Sequence, residues 1–169
     1  VLHRDVKPDN VLVESSGRAV LVDFGLATRA VPGEAEVAQP ELVGTVDYLA
    51  PELLTGAAYS AATDVYALGA TLYKTLTGCV PFRGGDLHDK LRAIRQDGPV
   101  LPRLLRQDVP AALQAICLKA LERAPADRYA SAEEMGADLD RFLAGDVVLA
   151  HPTSSRRLLR QKFELHLRD

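Results

Sequence analysis

The side chains most able to do chemistry are concentrated in the first 25 residues. His3-Arg4-Asp5-Val6-Lys7-Pro8-Asp9-Asn10 is followed, thirteen positions after Asn10, by Asp23-Phe24-Gly25. Asn10 and Asp23 carry amide and carboxylate oxygens, the donors that hard cations such as Mg²⁺ take. Asp5 is a candidate base, and Lys7 is a cation able to neutralise negative charge. A metal, a base and a cation in one place are what chemistry on a phosphoryl group requires. Taken singly, an Asp, Asn or Lys in a loop is an ordinary turn residue. The joint pattern at this spacing is far more specific.

Such a set works only if the chain folds back between its halves. Val11-Leu12-Val13-Glu14 and Ala19-Val20-Leu21-Val22 are short apolar runs rich in β-branched residues, separated by the turn-forming Ser15-Ser16-Gly17-Arg18. They predict an antiparallel hairpin. Its open end brings Asn10, just before the first strand, next to Asp23, just after the second. Facing residues in such a pair lie about 4.5–5.5 Å apart. Pro8 restricts the backbone of Lys7 and discourages a helix, which favours a fixed loop presenting Asp5 and Lys7 beside the oxygen donors.

His3 to Asn10 resembles the catalytic loop of protein kinases, and Asp23-Phe24-Gly25 resembles their magnesium-binding triplet. Ala50-Pro51-Glu52 is similar to the motif closing their activation segment. Lys7, two residues after Asp5, is similar to the serine/threonine-specific type. Gly44-Thr45-Val46-Asp47-Tyr48-Leu49-Ala50-Pro51-Glu52 and Ala126-Asp127-Arg128-Tyr129 point to the bacterial eukaryotic-like serine/threonine kinases. The resemblance runs through about residue 145. It implies ATP and Mg²⁺ as cofactors and proteins bearing Ser or Thr as substrates. Asp5 would accept the proton of the substrate hydroxyl, Lys7 would neutralise the transferring phosphoryl, and Asn10 and Asp23 would hold the metal. Leu12 would pack beneath the adenine ring, its plainer alternative being a core leucine. Thr45 would hydrogen-bond the catalytic loop and shape the substrate-docking surface.

Other residues are better explained as scaffold. Asp64, near the start of an apolar helical run, suits the helix dipole; the resemblance makes it a buried anchor for backbone N–H groups of the catalytic loop. Glu52 and Arg128 resemble partners of a buried ion pair tying the activation segment to the helical base. His3 is expected to be a packed residue rather than a proton shuttle. Arg4 belongs, in the family, to kinases whose activation loop is ordered by phosphorylation. Yet Arg29 to Gly44 contains no Ser, Thr or Tyr. Glu41 or Glu36, with Glu34 nearby, is expected to take the place of the phosphate, against the alternative of a merely mobile acidic loop.

The remainder predicts helices. Ala61 to Thr77 is apolar on nearly all sides, stopped by Gly78 and Pro81. Asp86 to Gln96 is mixed and charged. Leu113, Ile116, Cys117, Ala120 and Leu121 follow helical spacing after Pro110. Ser131 with Glu134 forms a capping box for a helix burying Met135, Leu139, Phe142 and Leu143, ended by Gly145. The expected fold class is mainly α (α+β), a kinase-like C-terminal lobe with one small β-hairpin. Residues 1–145 are expected to form a partial kinase domain, and 146–169 a linker and short basic helix carrying Arg156, Arg157, Arg160 and Lys162. That helix leads to a further domain or packs on the lobe; an amphipathic membrane-surface role is the sharper alternative.

Composition narrows the partners. With 169 residues, 47% of them hydrophobic, the chain can bury one domain-sized core. A net charge of −3 gives no support to nucleic-acid binding. Two cysteines in or near apolar helical patterns suit a reducing, cytoplasmic setting. No apolar run is long enough to span a membrane, although tethering of a longer protein is compatible with that. The smaller lobe of a kinase, with its Gly-rich loop and strand lysine, is not in these residues. Phosphate transfer is therefore expected of a parent protein and not of this piece alone. The alternative is a kinase-like regulatory or binding module, a pseudokinase, although such a module needs none of Asp5, Lys7, Asn10 and Asp23.

Overall fold

The computed structural model describes residues 1–27, 46–84 and 86–151. Strands β1 (Val11–Val13) and β2 (Ala19–Leu21) pair antiparallel, with Val11 opposite Leu21, Leu12 opposite Val20 and Val13 opposite Ala19. Gly17, at φ +84°, supplies the left-handed turn residue. The Arg18 carbonyl accepts from the Glu14 N–H at 2.9 Å, closing the hairpin.

Helix α1 (Ala61–Thr77) is the central post. The Thr63 hydroxyl accepts from the Ser60 N–H at 3.1 Å, satisfying a donor at the helix start, and Gly78 ends the helix in the left-handed region. Helices α2 (Leu87–Gln96), α3 (Pro102–Leu105), α4 (Ala111–Ala120) and α5 (Ala132–Ala144) surround it. Asp86 caps α2 through the Asp89 N–H, and Ser131 caps α5 through the Glu134 N–H. At Gly69, a Cβ would stand 2.7 Å from the Ala120 Cβ, so glycine is what lets α1 and α4 approach this closely.

Two apolar clusters flank α1. One gathers Val6, Tyr48, Leu49, Leu53, Tyr66, Tyr73 and Ile94. The other gathers Val65, Ile116, Ala120, Tyr129 and Met135. Because α1 is buried toward both, it reads as apolar all round. The arrangement is mainly helical with one two-stranded sheet, as expected of a kinase-like lobe.

One expectation is corrected. Leu143 is 79% exposed, not buried. Met135, Asp138 and Phe142 line the inner stripe of α5, with Asp138 fully buried, and Leu143 falls about 140° from Asp138 at 100° per residue. Past Gly145 the chain continues to pack on α5. Asp138 accepts a 2.7 Å hydrogen bond from the Leu149 N–H, and Ala150, 4% exposed, joins the α5 cluster. A buried carboxylate needs donors, and the backbone of the departing chain provides them. Thr45, Glu34, Glu36, Glu41 and the helix expected within 155–168 lie outside the described residues. Among the described residues, no helix is long and apolar enough to cross a membrane.

Candidate active site

The hairpin register sets the site. The Val22 N–H donates to the Asn10 carbonyl at 2.9 Å, so Val22 faces Asn10 and Asp23 stands one residue beyond. The two oxygen donors are thus adjacent in register rather than directly opposite. Asp23 is exposed and left-handed, at φ 64° and ψ 69°, and its Oδ1 accepts from the Gly25 N–H at 3.3 Å. A short 3₁₀ turn over Phe24–Leu26 follows it.

The catalytic-loop candidates interlock. Asn10 is buried and its amide nitrogen donates to the Asp5 carbonyl at 2.8 Å and to Asp5 Oδ2 at 3.0 Å. Lys7 Nζ donates to the same Oδ2 at 2.6 Å. Asp5 Oδ1 and the Asn10 amide oxygen accept no hydrogen bond among the described residues. One carboxylate oxygen is therefore held by two donors while the other is open to an incoming proton. The Asn10 amide, pinned through its nitrogen, keeps its oxygen for another partner.

The loop is held from beneath. Asp64, on the first turn of α1, accepts from the His3 N–H at 2.7 Å and from the Arg4 N–H at 3.0 Å. Arg4 sits at φ +69°; with Asp23 it is one of two non-glycine residues in the left-handed region among the described residues. A non-glycine residue there carries backbone strain of roughly 1–2 kcal/mol, and two charge-assisted bonds from one carboxylate offset it. The Arg4 guanidinium lies 5.1 Å from the centre of the Tyr59 ring. Burial raises the Tyr59 phenol above its ordinary pKa, with Arg4 pulling the other way.

His3 is buried. Its Nδ1 accepts from the Asp5 N–H at 3.4 Å, which assigns the ring proton to Nε2, 3.1 Å from the Val22 carbonyl. Its ring meets Phe24 edge-on at 4.7 Å. It thereby links the catalytic-loop side of the hairpin to the Asp23 side. Leu12 is 56% exposed on β1, so it is not a core leucine.

Farther from the loop, Arg128 donates to both oxygens of Glu52 at 2.7 Å. It also donates to the carbonyls of Glu122, Ala62 and Arg123. Tyr59 beneath Arg4 is one partner that sequence reasoning missed. Asp47, paired with Lys90 of α2 at 2.6 Å, and Tyr48, which accepts from Lys74 Nζ at 3.2 Å, are two others. These contacts fasten the segment after residue 45 to α1 and α2.

The donor set suits a hard divalent cation. Among the described residues there is no group of three or more His, Cys, Asp or Glu side chains able to hold a metal. An open Asn10 oxygen and an exposed Asp23 carboxylate suit Mg²⁺, which keeps waters and phosphate oxygens in its shell and needs only one or two protein ligands.

Residues 1–138 match the family model of the protein kinase domain. Serine/threonine-protein kinase PknB of Mycobacterium leprae is 39% identical over 147 residues, covering 86% of this chain and 23% of that protein. PknB of Mycolicibacterium smegmatis is 40% identical over 147 residues, with the same coverage. PknD of Chlamydia trachomatis is 36% identical over 170 residues, covering 86% of this chain and 18% of that protein. The chain spans about a quarter or less of the length of these relatives. With the family model matched over most of its length and the catalytic-loop and hairpin motifs in the order found in kinases, the chain belongs to the protein kinase domain family, among the bacterial eukaryotic-like serine/threonine kinases.

Proposed function

We propose that a protein carrying this chain transfers the γ-phosphate of ATP to Ser and Thr hydroxyls of other proteins, and that this chain supplies the groups at the reacting end. The observation that carries the reading is the split of the Asp5 carboxylate, one oxygen held by Lys7 and Asn10 and the other open. Asp5 takes the proton of the attacking hydroxyl on its open oxygen. Lys7, already beside that carboxylate, has an ammonium charge to share with the phosphoryl as it leaves. Asn10 and Asp23 hold the cation. Mg²⁺, when bound with the nucleotide, supplies neutralisation of the phosphate charge. Leu12, exposed on β1, is available to pack under the adenine, and Thr45 is assigned to the docking surface by the family resemblance alone.

Asp64 and His3 position the loop, and the Glu52–Arg128 pair holds the segment that closes over it. The 169 residues contain no Gly-x-Gly-x-x-Gly sequence. We therefore place the phosphate cover on a smaller lobe outside them and expect negligible transfer by these residues alone. Cys79 and Cys117 are free thiols, which suits a reducing, cytoplasmic setting.

The test is Asp5→Asn in the protein that carries this chain together with its nucleotide-covering lobe. Losing a positioned base lowers transfer by at least about 100-fold, with nucleotide affinity retained. Transfer within threefold of the unaltered protein would refute the role of Asp5. No transfer in either protein, with nucleotide still bound, would favour a regulatory module.

A further inference from the structure

We propose that the lobe binds small aromatic monocarboxylates in a cavity between the C-terminal end of α1 and α2, a site separate from the catalytic-loop cluster. The cavity has a volume of about 220 Å³ and is bordered by Tyr73, Phe82, Ala93, Val100, Leu105 and Arg83. An apolar cavity of about 150 Å³ is enough to take benzene. This one therefore has room for a ring with a short substituent, or for two fused rings.

The walls say what kind of molecule enters. Phe82 and Tyr73 are buried, and Val100 and Leu105, each 41% exposed, form an apolar rim. The Tyr73 hydroxyl donates to the Val100 carbonyl at 2.9 Å, so it makes no demand for water inside. Burial keeps that phenol protonated well past its ordinary range. The interior thus favours an apolar, flat body over a sugar or a hydrated ion.

Charge at the mouth fixes the other end. Arg83 is exposed and has no hydrogen-bond or ion-pair partner among the described residues. Its planar fork matches a carboxylate with two parallel N–H donors. Asp97 borders the same cavity and opposes a second negative charge, which disfavours phosphates and dicarboxylates.

Titration of 1-naphthoate into the ¹⁵N-labelled chain tests this, with 1-naphthalenemethanol as the neutral control. The expected result is saturable binding, with amide shifts centred on Tyr73, Ala93 and Val100. Arg83→Met, a surface change that keeps the apolar stem, should weaken naphthoate about three- to fivefold, the span of an exposed ion pair, and leave the alcohol unaffected. Ala93→Phe, which fills the cavity, should abolish both in a protein whose circular dichroism is unchanged. Any of three results would overturn the proposal: shifts scattered over the surface or not saturating, naphthoate affinity unchanged in Arg83→Met, or binding retained in a folded Ala93→Phe.

Discussion

Arg128 grips Glu52 with both ends of its guanidinium, at 2.7 Å on each side, across 76 residues of sequence. The arginine side chain is fully buried, and its remaining donors go to the carbonyls of Glu122, Ala62 and Arg123. It ties the segment closing the candidate active site to α1 and to the turn before α5. The Tyr66 ring, 4.9 Å away, completes its enclosure.

Removing either partner strands the other. Glu52→Ala and Arg128→Ala should each destabilise the chain by about 3–5 kcal/mol, read as a fall in the urea midpoint. The exchange Glu52→Arg with Arg128→Glu should not restore stability. A carboxylate at position 128 would face three carbonyl oxygens that have nothing to donate to it. Full rescue by the exchange would show that the pair acts through charge alone.

Asp64 is expected to govern the order of the catalytic loop, not its chemistry. It accepts from the N–H groups of His3 and Arg4, and Arg4 is in a strained conformation. Hydrogen bonds to a charged acceptor contribute roughly 1.5–3 kcal/mol each. Asp64→Ala should therefore speed amide exchange at His3 and Arg4 by at least about tenfold, with Asp64→Asn intermediate because one oxygen remains. Unchanged exchange at both amides would remove Asp64 from this role.

Asp138 predicts a pH limit. Burial pushes its carboxyl up, but N–H donors from Leu149 and Ala150, the Tyr129 hydroxyl and Arg141 outweigh that, and its pKa falls below the ordinary aspartate value. A group with a depressed folded pKa stabilises fully above its unfolded value, about 3.9, and loses that contribution as pH falls toward the folded value. The urea midpoint should drop between pH 5 and pH 3, and Asp138→Asn should drop less over the same interval. Parallel losses in the two proteins would contradict the assignment.

These residues show where sequence reasoning reached and where it stopped. The hairpin was legible because alternating apolar runs and a Ser-Ser-Gly turn encode it locally. Helix α1 was legible because Gly78 punctuates a continuous apolar run. Register was less so: a one-residue offset between Asn10 and Asp23 depends on where the ladder ends, which periodicity does not specify. The left-handed backbone at Arg4 had no sequence signal, since arginine there is held by Asp64, 60 residues away. The burial of Asp138 had none for the same reason: its donors include a passing backbone with no composition of its own. Leu143 was misplaced as a consequence.

The hairpin is expected to hold Asn10 and Asp23 as joint ligands of a nucleotide-bound cation. Mn²⁺ in place of Mg²⁺, added with ATP to the ¹⁵N-labelled chain, tests it by paramagnetic broadening of amide signals. Asn10, Val11, Asp23 and Gly25 are expected to broaden first, and Asp23→Ala to abolish this preference. Equal broadening at exposed acids such as Glu14 and Glu133, with none favoured at the hairpin, would contradict it.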